Sequence, residues 1–359
     1  MFLFLLVFIM VCCLFEKNGR NWAFHAAWLV LTAVLCFRFA QGRDYRTYWM
    51  MYYYGDGHSE FLWRCITKIL NSAGVPFEAF IFGISLFMMY GIRRAVLRFS
   101  PYKCFSLLLF YPTLYFSYFF SALRAGILIA FFLGFMLDWL IEKKYKRYLA
   151  AALLLLGVHS MAAAFLPLVF IQRIREKVLL CAAAVSAGMG FFLIFTNGWI
   201  LKLFHLERLN YYLGEAQFAA AAFLEKLFIF GAVWFLYSSV KKDKVTGMLY
   251  KICIYGMVIS MPFLGFQLIS SRFFHLLTAV HIVAVPLMIK KMSYTVNKKL
   301  IKMVFFLYTV VILSKNINYY IESMIPGRYH IISCPYISIF HKEKTNEVFG
   351  EIYINGRFW

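Results

Sequence analysis

Long apolar runs dominate the pattern of hydrophobic and polar positions, and short basic clusters separate them. A helix that crosses the hydrocarbon of a bilayer needs about 20 apolar residues. Runs of roughly this kind occupy residues 2–15, 22–40, 77–92, 102–120, 123–141, 149–171, 178–196, 223–240, 248–269, 273–289 and 300–319. The pattern predicts an all-α, polytopic transmembrane bundle of about 10–11 membrane helices.

Composition supports this interpretation. Hydrophobic residues make up 63% of the chain and charged residues 15%, whereas a soluble domain is nearer half apolar and a quarter charged. The net charge of +21 could suggest nucleic acid, but the Lys and Arg residues cluster between apolar runs. Such clusters encode orientation in a membrane rather than a nucleic-acid interface. No long soluble region interrupts the runs, so residues 1–340 are predicted to form a single membrane domain, followed by a short tail, 341–359.

Basic loops predict the orientation of the helices. The clusters at 17–20, 93–103, 143–147, 173–177, 241–244 and 290–299 are assigned to the cytoplasm, and the longer connections 41–75 and 197–222 and the C-terminal residues 320–359 to the outside. Residues 149–171 have a basic cluster at each end. This segment either spans the membrane against the positive-inside rule, or is re-entrant, with two arms that meet near Gly157, His159 and Ser160. A re-entrant segment places every other basic loop inside and is therefore favoured.

Polar residues follow the second apolar run on the predicted outer side. Arginine forks suit phosphate oxygens, tyrosines suit sugar faces and hydroxyls, and a carboxylate can accept a proton. The simpler interpretation for each charged residue is that it snorkels at a helix end. A basic, aromatic and acidic group so close together nevertheless favours a binding site. The candidates are Arg38, Arg43, Asp44, Tyr45, Tyr48 and Glu60.

Three further ionisable residues interrupt apolar runs. Arg124 stands between two such runs, Arg272 follows a pair of serines, and His159 lies inside residues 149–171. Ionisable residues in membrane segments are rare and indicate function by default. The alternatives are a helix turn for the arginines and a carbonyl-bonded packing residue for the histidine. As a neutral imidazole, His159 could take a proton from a hydroxyl.

Motifs for nucleotides and metals are absent from the sequence. It contains no GxxxxGK[ST], GxGxxG, HExxH or DxD pattern, and the cysteines show no metal-binding spacing. We therefore expect no metal and no cofactor, and a transferred group that arrives already activated. Cys65 and Cys334 share the predicted outer side, which leaves a disulfide between them open.

Several of these residues occur in an order that resembles one family. The series Arg38…Gly42-x-Asp44-Tyr45-x-x-Tyr48, Glu60-Phe61-Leu62, Arg124-Ala125 with Ala130, His159-Ser160 before Pro167, Arg272 and Pro335-Tyr336 is similar to the EpsG-like branch of the Wzy polysaccharide polymerases. Many relatives have Gln where this chain has Ala125.

The resemblance implies a bacterial cytoplasmic (inner) membrane enzyme that polymerises repeat units of capsule, exopolysaccharide or O-antigen at the periplasmic or extracellular face. Its substrate would be an undecaprenyl-diphosphate-linked glycan, and a flippase and a chain-length regulator would be its pathway partners. Arg38, Arg124 and Arg272 would then neutralise the leaving diphosphate. Asp44 and His159 compete as the base, while Arg43, Tyr45, Tyr48 and Glu60 would position the sugars.

Two alternatives belong to other classes. A transporter or flippase for the lipid-linked glycan would typically show two related halves with broken helices, and no internal repeat is evident. A membrane acyltransferase that modifies the polysaccharide would favour a histidine and its partner on the cytoplasmic side. The predicted outer position of most charged candidates argues against it.

Overall fold

The computed structural model describes residues 1–16, 21–55, 57, 59–196, 217–240, 243–292, 298–324, 334–349, 353–354 and 357–358. The chain divides into two compact units. The first groups Met1–Met136, Leu153–Ser160 and Asn297–Trp359, and the second groups Leu137–Ala152 and Met161–Val296. The tail predicted at residues 341–359 groups with the first unit.

Helices account for nearly all regular structure in the described residues, which confirms the all-α fold. The first part of the chain contains α1 (Phe2–Phe15), α2 (Trp22–Cys36), α3 (Tyr45–Tyr54), α4 (Phe61–Ser72), α5 (Phe77–Phe99), α6 (Lys103–Phe110), a π-helix (Tyr111–Ser121), α7 (Leu123–Phe131), a second π-helix (Phe132–Met136), α8 (Leu137–Ile141) and α9 (Tyr145–Leu156). There follow a 3₁₀ helix (Ser160–Phe170), α10 (Glu176–Phe195), α11 (Ala220–Ser238), α12 (Lys244–Ser260), a 3₁₀ turn (Met261–Phe263), α13 (Gln267–Thr278), α14 (His281–Lys291), α15 (Lys298–Met324), α16 (Lys344–Phe349) and the antiparallel strands β1 (Tyr353–Ile354) and β2 (Arg357–Phe358).

Seven helical stretches among the described residues are long and apolar enough to cross a membrane. They are Phe77–Phe99, Lys103–Ser121, Leu123–Ile141, Glu176–Phe195, Ala220–Ser238, Lys244–Phe263 and Lys298–Glu322. The pair α13 and α14, bent by 46°, adds an eighth if it is one span, and α1, α2 and the 3₁₀ helix Ser160–Phe170 are shorter apolar helices. The chain is therefore a polytopic membrane protein.

One predicted division between helices is wrong. The sequence predicted a helix over 248–269 and another over 273–289, but the first stretch ends at Phe263 and the next helix, α13, already begins at Gln267. Pro262 explains the difference, because proline lacks an amide hydrogen and disrupts a continuing helix.

The core of the first unit is formed around the π-helix Tyr111–Ser121. Pro112 cannot donate a backbone hydrogen bond and obstructs the regular α-helical ladder, and the π-helix begins beside it. Its carbonyl accepts a 2.6 Å hydrogen bond from Asn316 Nδ2. The hydroxyls of Tyr111 and Tyr115 donate to the carbonyls of Phe2 and Leu31, each at 2.7 Å. These bonds tie the π-helix to α15, α1 and α2.

Two glycines allow close contact of α5 with α7 and with the second π-helix. A Cβ atom at Gly91 would lie 2.5 Å from the Ala130 carbonyl oxygen, and one at Gly134 would lie 2.8 Å from the Gly91 Cα. Without a hydrophobic force between helices in lipid, such small residues permit the close packing that drives association.

The C-terminal tail, through its residues 335–339, packs along residues 37–41, the segment that follows α2. Phe39 N–H donates to the Ile337 carbonyl and Ile339 N–H donates to the Phe37 carbonyl, each at 2.9 Å. Gln41 Nε2 donates to the Pro335 carbonyl at 2.8 Å. These contacts place the tail and the segment 37–41 together, as expected if both lie on one side of the membrane. All eight cysteines are free, so the disulfide considered between Cys65 and Cys334 is not formed.

In the second unit, α12 packs against α10, α11 and α13. Asp243 begins α12 with a capping box, in which its carboxylate accepts the Thr246 N–H at 2.8 Å. A Cβ at Gly190 on α10 would lie 2.1 Å from the Met261 carbonyl oxygen. Glycine is therefore required where α10 meets the end of α12.

Residues 149–171 do not form one helix. The chain leaves the α-helix after Leu156, passes through Gly157, Val158 and His159, and continues from Ser160 as a 3₁₀ helix. This break, which we call the hinge (Gly157–His159), lies where the two arms of the re-entrant segment were predicted to meet. Whether both arms reach the same face of the membrane stays a prediction.

Gly91→Ala should destabilise the protein by about 1–3 kcal/mol, because the new methyl group overlaps a backbone oxygen that cannot rotate away. The measurement is thermal unfolding of the detergent-solubilised protein. Gly83→Ala on the same helix is the matched control, since nothing lies within 4 Å of its added Cβ. Equal melting midpoints for the two variants would contradict this packing.

Cysteine labelling tests the re-entrant segment. In a cysteine-free background, we expect a membrane-impermeant maleimide applied from outside to label Ser72→Cys and to spare Arg175→Cys, because the loop 173–177 is predicted to be cytoplasmic. Both positions are exposed. Labelling of Arg175→Cys in intact cells would rule out the re-entrant arrangement.

Candidate functional site

The hinge packs against the first turn of α4. The Gly157 carbonyl accepts a 3.0 Å hydrogen bond from the Trp63 N–H, which would otherwise be one of the unpaired amides at a helix start. A Cβ at Gly157 would lie 2.8 Å from the Leu62 Cβ. The glycine therefore allows the hinge to approach α4 and brings His159 next to residue 60.

Glu60 is the N-cap residue of α4, and its carboxylate is shared between three partners. Oε2 forms a 2.5 Å ion pair with Arg124 Nη1. Oε1 accepts a 2.7 Å hydrogen bond from the Ser160 N–H and lies 3.5 Å from His159 Nδ1. Since Ser160 begins the 3₁₀ helix, the carboxylate also occupies the positive end of that helix. We call Glu60, Arg124 and His159 the charged cluster.

Electrostatics keep Glu60 ionised. Burial by itself raises the pKa of this carboxyl, but the Ser160 N–H, and then the charge of Arg124, outweigh it and leave the pKa below its ordinary value. At neutral pH Glu60 is therefore a carboxylate.

Arg124 lies in the first turn of α7 with its side chain 20% exposed. Its backbone N–H donates to the Tyr48 hydroxyl at 3.5 Å. Its Nε is buried and has no partner in the described part of the chain. A guanidinium has five N–H donors, so Arg124 keeps hydrogen-bonding capacity for a further acceptor while it pairs with Glu60.

Tyr48 joins α3 to this cluster. It is buried, its ring lies edge-on to Trp63 at 5.7 Å, and burial raises the pKa of its hydroxyl, with Asp44 adding to the shift. Asp44, the N-cap residue of α3, is half-buried. Of the two predicted bases, His159 lies beside the Glu60 carboxylate. The other, Asp44, contributes to the raised pKa of the Tyr48 hydroxyl.

The backbone at Gly42 positions the residues that follow it, Arg43 and Asp44. Its φ of +118° lies in the region that favours glycine, and a Cβ there would lie 2.2 Å from the Phe120 carbonyl oxygen. The following arginine, Arg43, is exposed, and its Nη1 donates to the Tyr319 hydroxyl at 2.6 Å.

Two predicted substrate contacts are fully enclosed instead. Arg38 is 0% exposed, and its guanidinium donates to the Leu35 carbonyl, to Ser85 Oγ at 2.9 Å and to the Phe119 carbonyl at 3.3 Å. Tyr45 packs its ring against aromatic neighbours, namely Phe39, Phe77 and Phe358. Their contacts with substrate stay predictions, and this burial favours a packing role for both.

Arg272 belongs to another group of ionisable residues in the second unit. It is half-buried on α13, one turn before His275, whose Nε2 lies 3.5 Å from Glu225 Oε1 on α11. Glu225 and Lys226 are both buried, and Lys226 Nζ lies 5.8 Å from the Phe274 ring. Sequence analysis missed Glu225 and Lys226, although an ionisable pair inside an apolar run was the signal that could have found them.

No group of three or more His, Cys, Asp or Glu side chains is placed to hold a metal ion in the described part of the chain. The charged cluster contains one carboxylate and one imidazole.

A sequence profile of the EpsG family matches residues 21–326. The chain belongs to the EpsG family. The family resemblance predicted from the residue order is thereby confirmed, and the match covers Arg38, Glu60, Arg124, His159 and Arg272. Searches of functionally curated proteins and of solved structures gave no match for this EpsG-family protein.

Glu60→Gln should destabilise the protein at pH 7 by about 1–3 kcal/mol, because it removes a charged acceptor from Arg124 and Ser160. The pKa of Glu60 is depressed on folding, so its contribution is complete above the ordinary glutamate range and is lost as the pH falls through the depressed value. Melting midpoints of wild type and variant should therefore differ at pH 7 and converge below about pH 4.

The exposed Glu322 on α15 provides a control for the substitution itself. Glu322→Gln should melt near the wild-type midpoint at pH 7. A difference between wild type and Glu60→Gln that stays constant down to pH 3 would contradict the assigned electrostatics.

Proposed function

We propose that this protein is a membrane glycosyltransferase that polymerises lipid-linked oligosaccharide repeat units. Membership of the EpsG family supports a polymerase-like role in polysaccharide biosynthesis. The observation that carries the proposal is the charged cluster: a cation, a carboxylate and an imidazole meet where the hinge, α4 and α7 come together.

The leaving group explains the cation. In this reaction a hydroxyl of the acceptor sugar attacks the anomeric carbon of the donor glycan, which is attached to undecaprenyl diphosphate. The new glycosidic C–O bond forms as the anomeric carbon–phosphate oxygen bond breaks, and the diphosphate leaves with the bonding electron pair. Arg124 would stabilise the negative charge that grows on it, with its Nε and remaining N–H groups as donors.

The proton of the attacking hydroxyl goes to His159 in this proposal. Glu60 faces Nδ1 of the imidazole, so Nε2 is the nitrogen that would accept the proton, and the adjacent carboxylate would stabilise the imidazolium formed. Glu60 is therefore assigned as a positioning residue for both His159 and Arg124. Asp44 remains the alternative base, and Arg43 and Tyr48 remain proposed substrate contacts. Arg272 remains a second proposed cation for the leaving diphosphate.

The proposed location follows from the topology prediction. Residues 37–41, which directly precede the segment with Asp44 and Tyr48, pack against the C-terminal tail, which supports one common side for both. We propose that this is the outer face of a bacterial cytoplasmic membrane, where a flippase would deliver the lipid-linked units and a chain-length regulator would act on the product.

Arg124→Ala should reduce polymer formation by about 100-fold or more, the typical effect of removing a preorganised donor to a developing anion. In a deletion strain complemented with this variant, single lipid-linked repeat units should accumulate and long glycan should be absent. The measurement is gel analysis of the extracted glycan at matched protein level. Arg124→Ala/Arg272→Ala should behave alike.

Arg173→Ala provides a control in an exposed loop arginine and should restore full-length glycan. The side of the membrane on which the single units accumulate separates the alternatives: units accessible from outside support a polymerase, and units retained in the cytoplasmic leaflet indicate a flippase. Full-length polymer with Arg124→Ala/Arg272→Ala at normal protein level would overturn the arginine assignment.

A further inference from the structure

An apolar cavity of about 400 Å³ lies between α4, α5, α7 and the hinge. Its volume is within the range of about 300–1,000 Å³ that is usual for ligand pockets. Carbon atoms dominate its walls, and the indole of Trp63 is its one polar side chain among the lining residues. We call it the apolar groove, and its lining includes Trp63, Ile66, Ala79, Gly83, Ile127 and Val158.

One end of the groove adjoins the charged cluster. Val158 immediately precedes His159 in the hinge, and Ile127 lies one turn after Arg124, on the same face of α7. The backbone N–H of Trp63 donates to the Gly157 carbonyl, and the ring of Trp63 lies edge-on to Tyr48. The apolar walls therefore extend from the cation and carboxylate along α4 and α5.

Two donors at this end have no partner in the described residues. The Trp63 side chain is 2% exposed and its Nε1 is buried without a hydrogen bond, as is Nε of Arg124. A buried N–H group without an acceptor is costly. A phosphate headgroup carries several acceptor oxygens, so one bound at this end of the groove would offer acceptors to these donors.

Gly83 lies in the middle of the α5 wall and leaves the groove open there. It is exposed, and nothing lies within 4 Å of a Cβ built on it. A Cβ at this position meets no neighbouring atom, and a longer side chain would extend from the lining of the groove. The position therefore offers a way to fill the groove while leaving the packing of α5 intact.

We infer that the apolar groove holds the hydrocarbon chain of a membrane amphiphile whose phosphate headgroup is bound at Arg124. This inference rests on the proposed function, because that amphiphile is the polyprenyl carrier of the glycan. The apolar walls match a hydrocarbon chain, and the donors at one end match an anionic headgroup. The groove fixes the carrier so that its phosphate lies beside the residues that act on the departing bond.

Gly83→Leu tests the inference by filling the groove. Purified full-length protein in detergent is mixed with undecaprenyl phosphate as the probe, and native mass spectrometry measures the fraction that retains one lipid. We expect wild type to retain the probe and Gly83→Leu to reduce retention at least fivefold. Phosphatidylglycerol, an anionic lipid with two acyl chains, should be retained poorly by both.

Gly188→Leu is the matched control. Gly188 is exposed on the apolar helix α10, and nothing lies within 4 Å of its Cβ position, so the same substitution there should leave retention unchanged. If Gly83→Leu fails to purify as a folded protein, Ala79→Leu fills the same groove from one turn earlier on α5.

The outcomes separate this inference from the proposed function. Undiminished retention by a folded groove variant, or equal retention of phosphatidylglycerol by wild type, would overturn the assignment of the groove. Loss of polymer with Arg124→Ala would still support the polymerase in that case. Conversely, a groove that binds the probe in a protein whose deletion leaves polymer length unchanged would overturn the proposed function while the lipid site stands.

Discussion

An ionised carboxylate in a partly buried position is stable only if surrounding donors compensate for its lost hydration. Glu60 meets this condition through Arg124, the Ser160 N–H and the nearby His159. The partners come from α7, from the start of a 3₁₀ helix and from the hinge. Their positions relative to α4 are therefore fixed together, because moving any of them leaves a charge without compensation.

The need for a compensating partner for each buried charge also helps to specify helix packing in a membrane. Apolar helix faces pack against lipid about as well as against one another, so hydrophobic burial alone does not specify which helices meet. Small residues such as Gly91 and Gly134 permit close contact, and polar contacts select a specific one. In the first unit the same few groups thus specify the packing and supply the candidate chemistry.

Much of the fold could be predicted from the sequence because lipid imposes a simple rule on spanning helices. The helix runs, the break near Gly157 and the choice of Arg124, His159 and Glu60 as candidate site residues follow from local patterns. The contact between these residues does not, since Glu60 is 64 residues from Arg124 and 100 from Ser160. Periodicity carries no information on which distant helix ends come together. For the same reason the ionisable contact between α11 and α13 was not predicted.

Two arginines with similar sequence signals illustrate what only three-dimensional structure can distinguish. Arg38 and Arg124 both stand at the end of an apolar run. The hydrogen bonds of Arg38 go to backbone carbonyls and a serine, and no part of it is exposed. Arg124 pairs with the Glu60 carboxylate, and its side chain is 20% exposed. Arg38 is therefore suited to a structural role, and Arg124 is suited to binding a substrate.

The attachment of the C-terminal tail to the segment after α2 has a consequence for biogenesis. Gln41 Nε2 donates to the Pro335 carbonyl, a contact between residues 294 positions apart. Contacts with such sequence separation form late, and during synthesis the tail emerges after every helix that precedes it. The segment 37–41 therefore acquires its final neighbours only after those helices have been made. Membrane insertion of the helices therefore precedes the final packing of the segment 37–41.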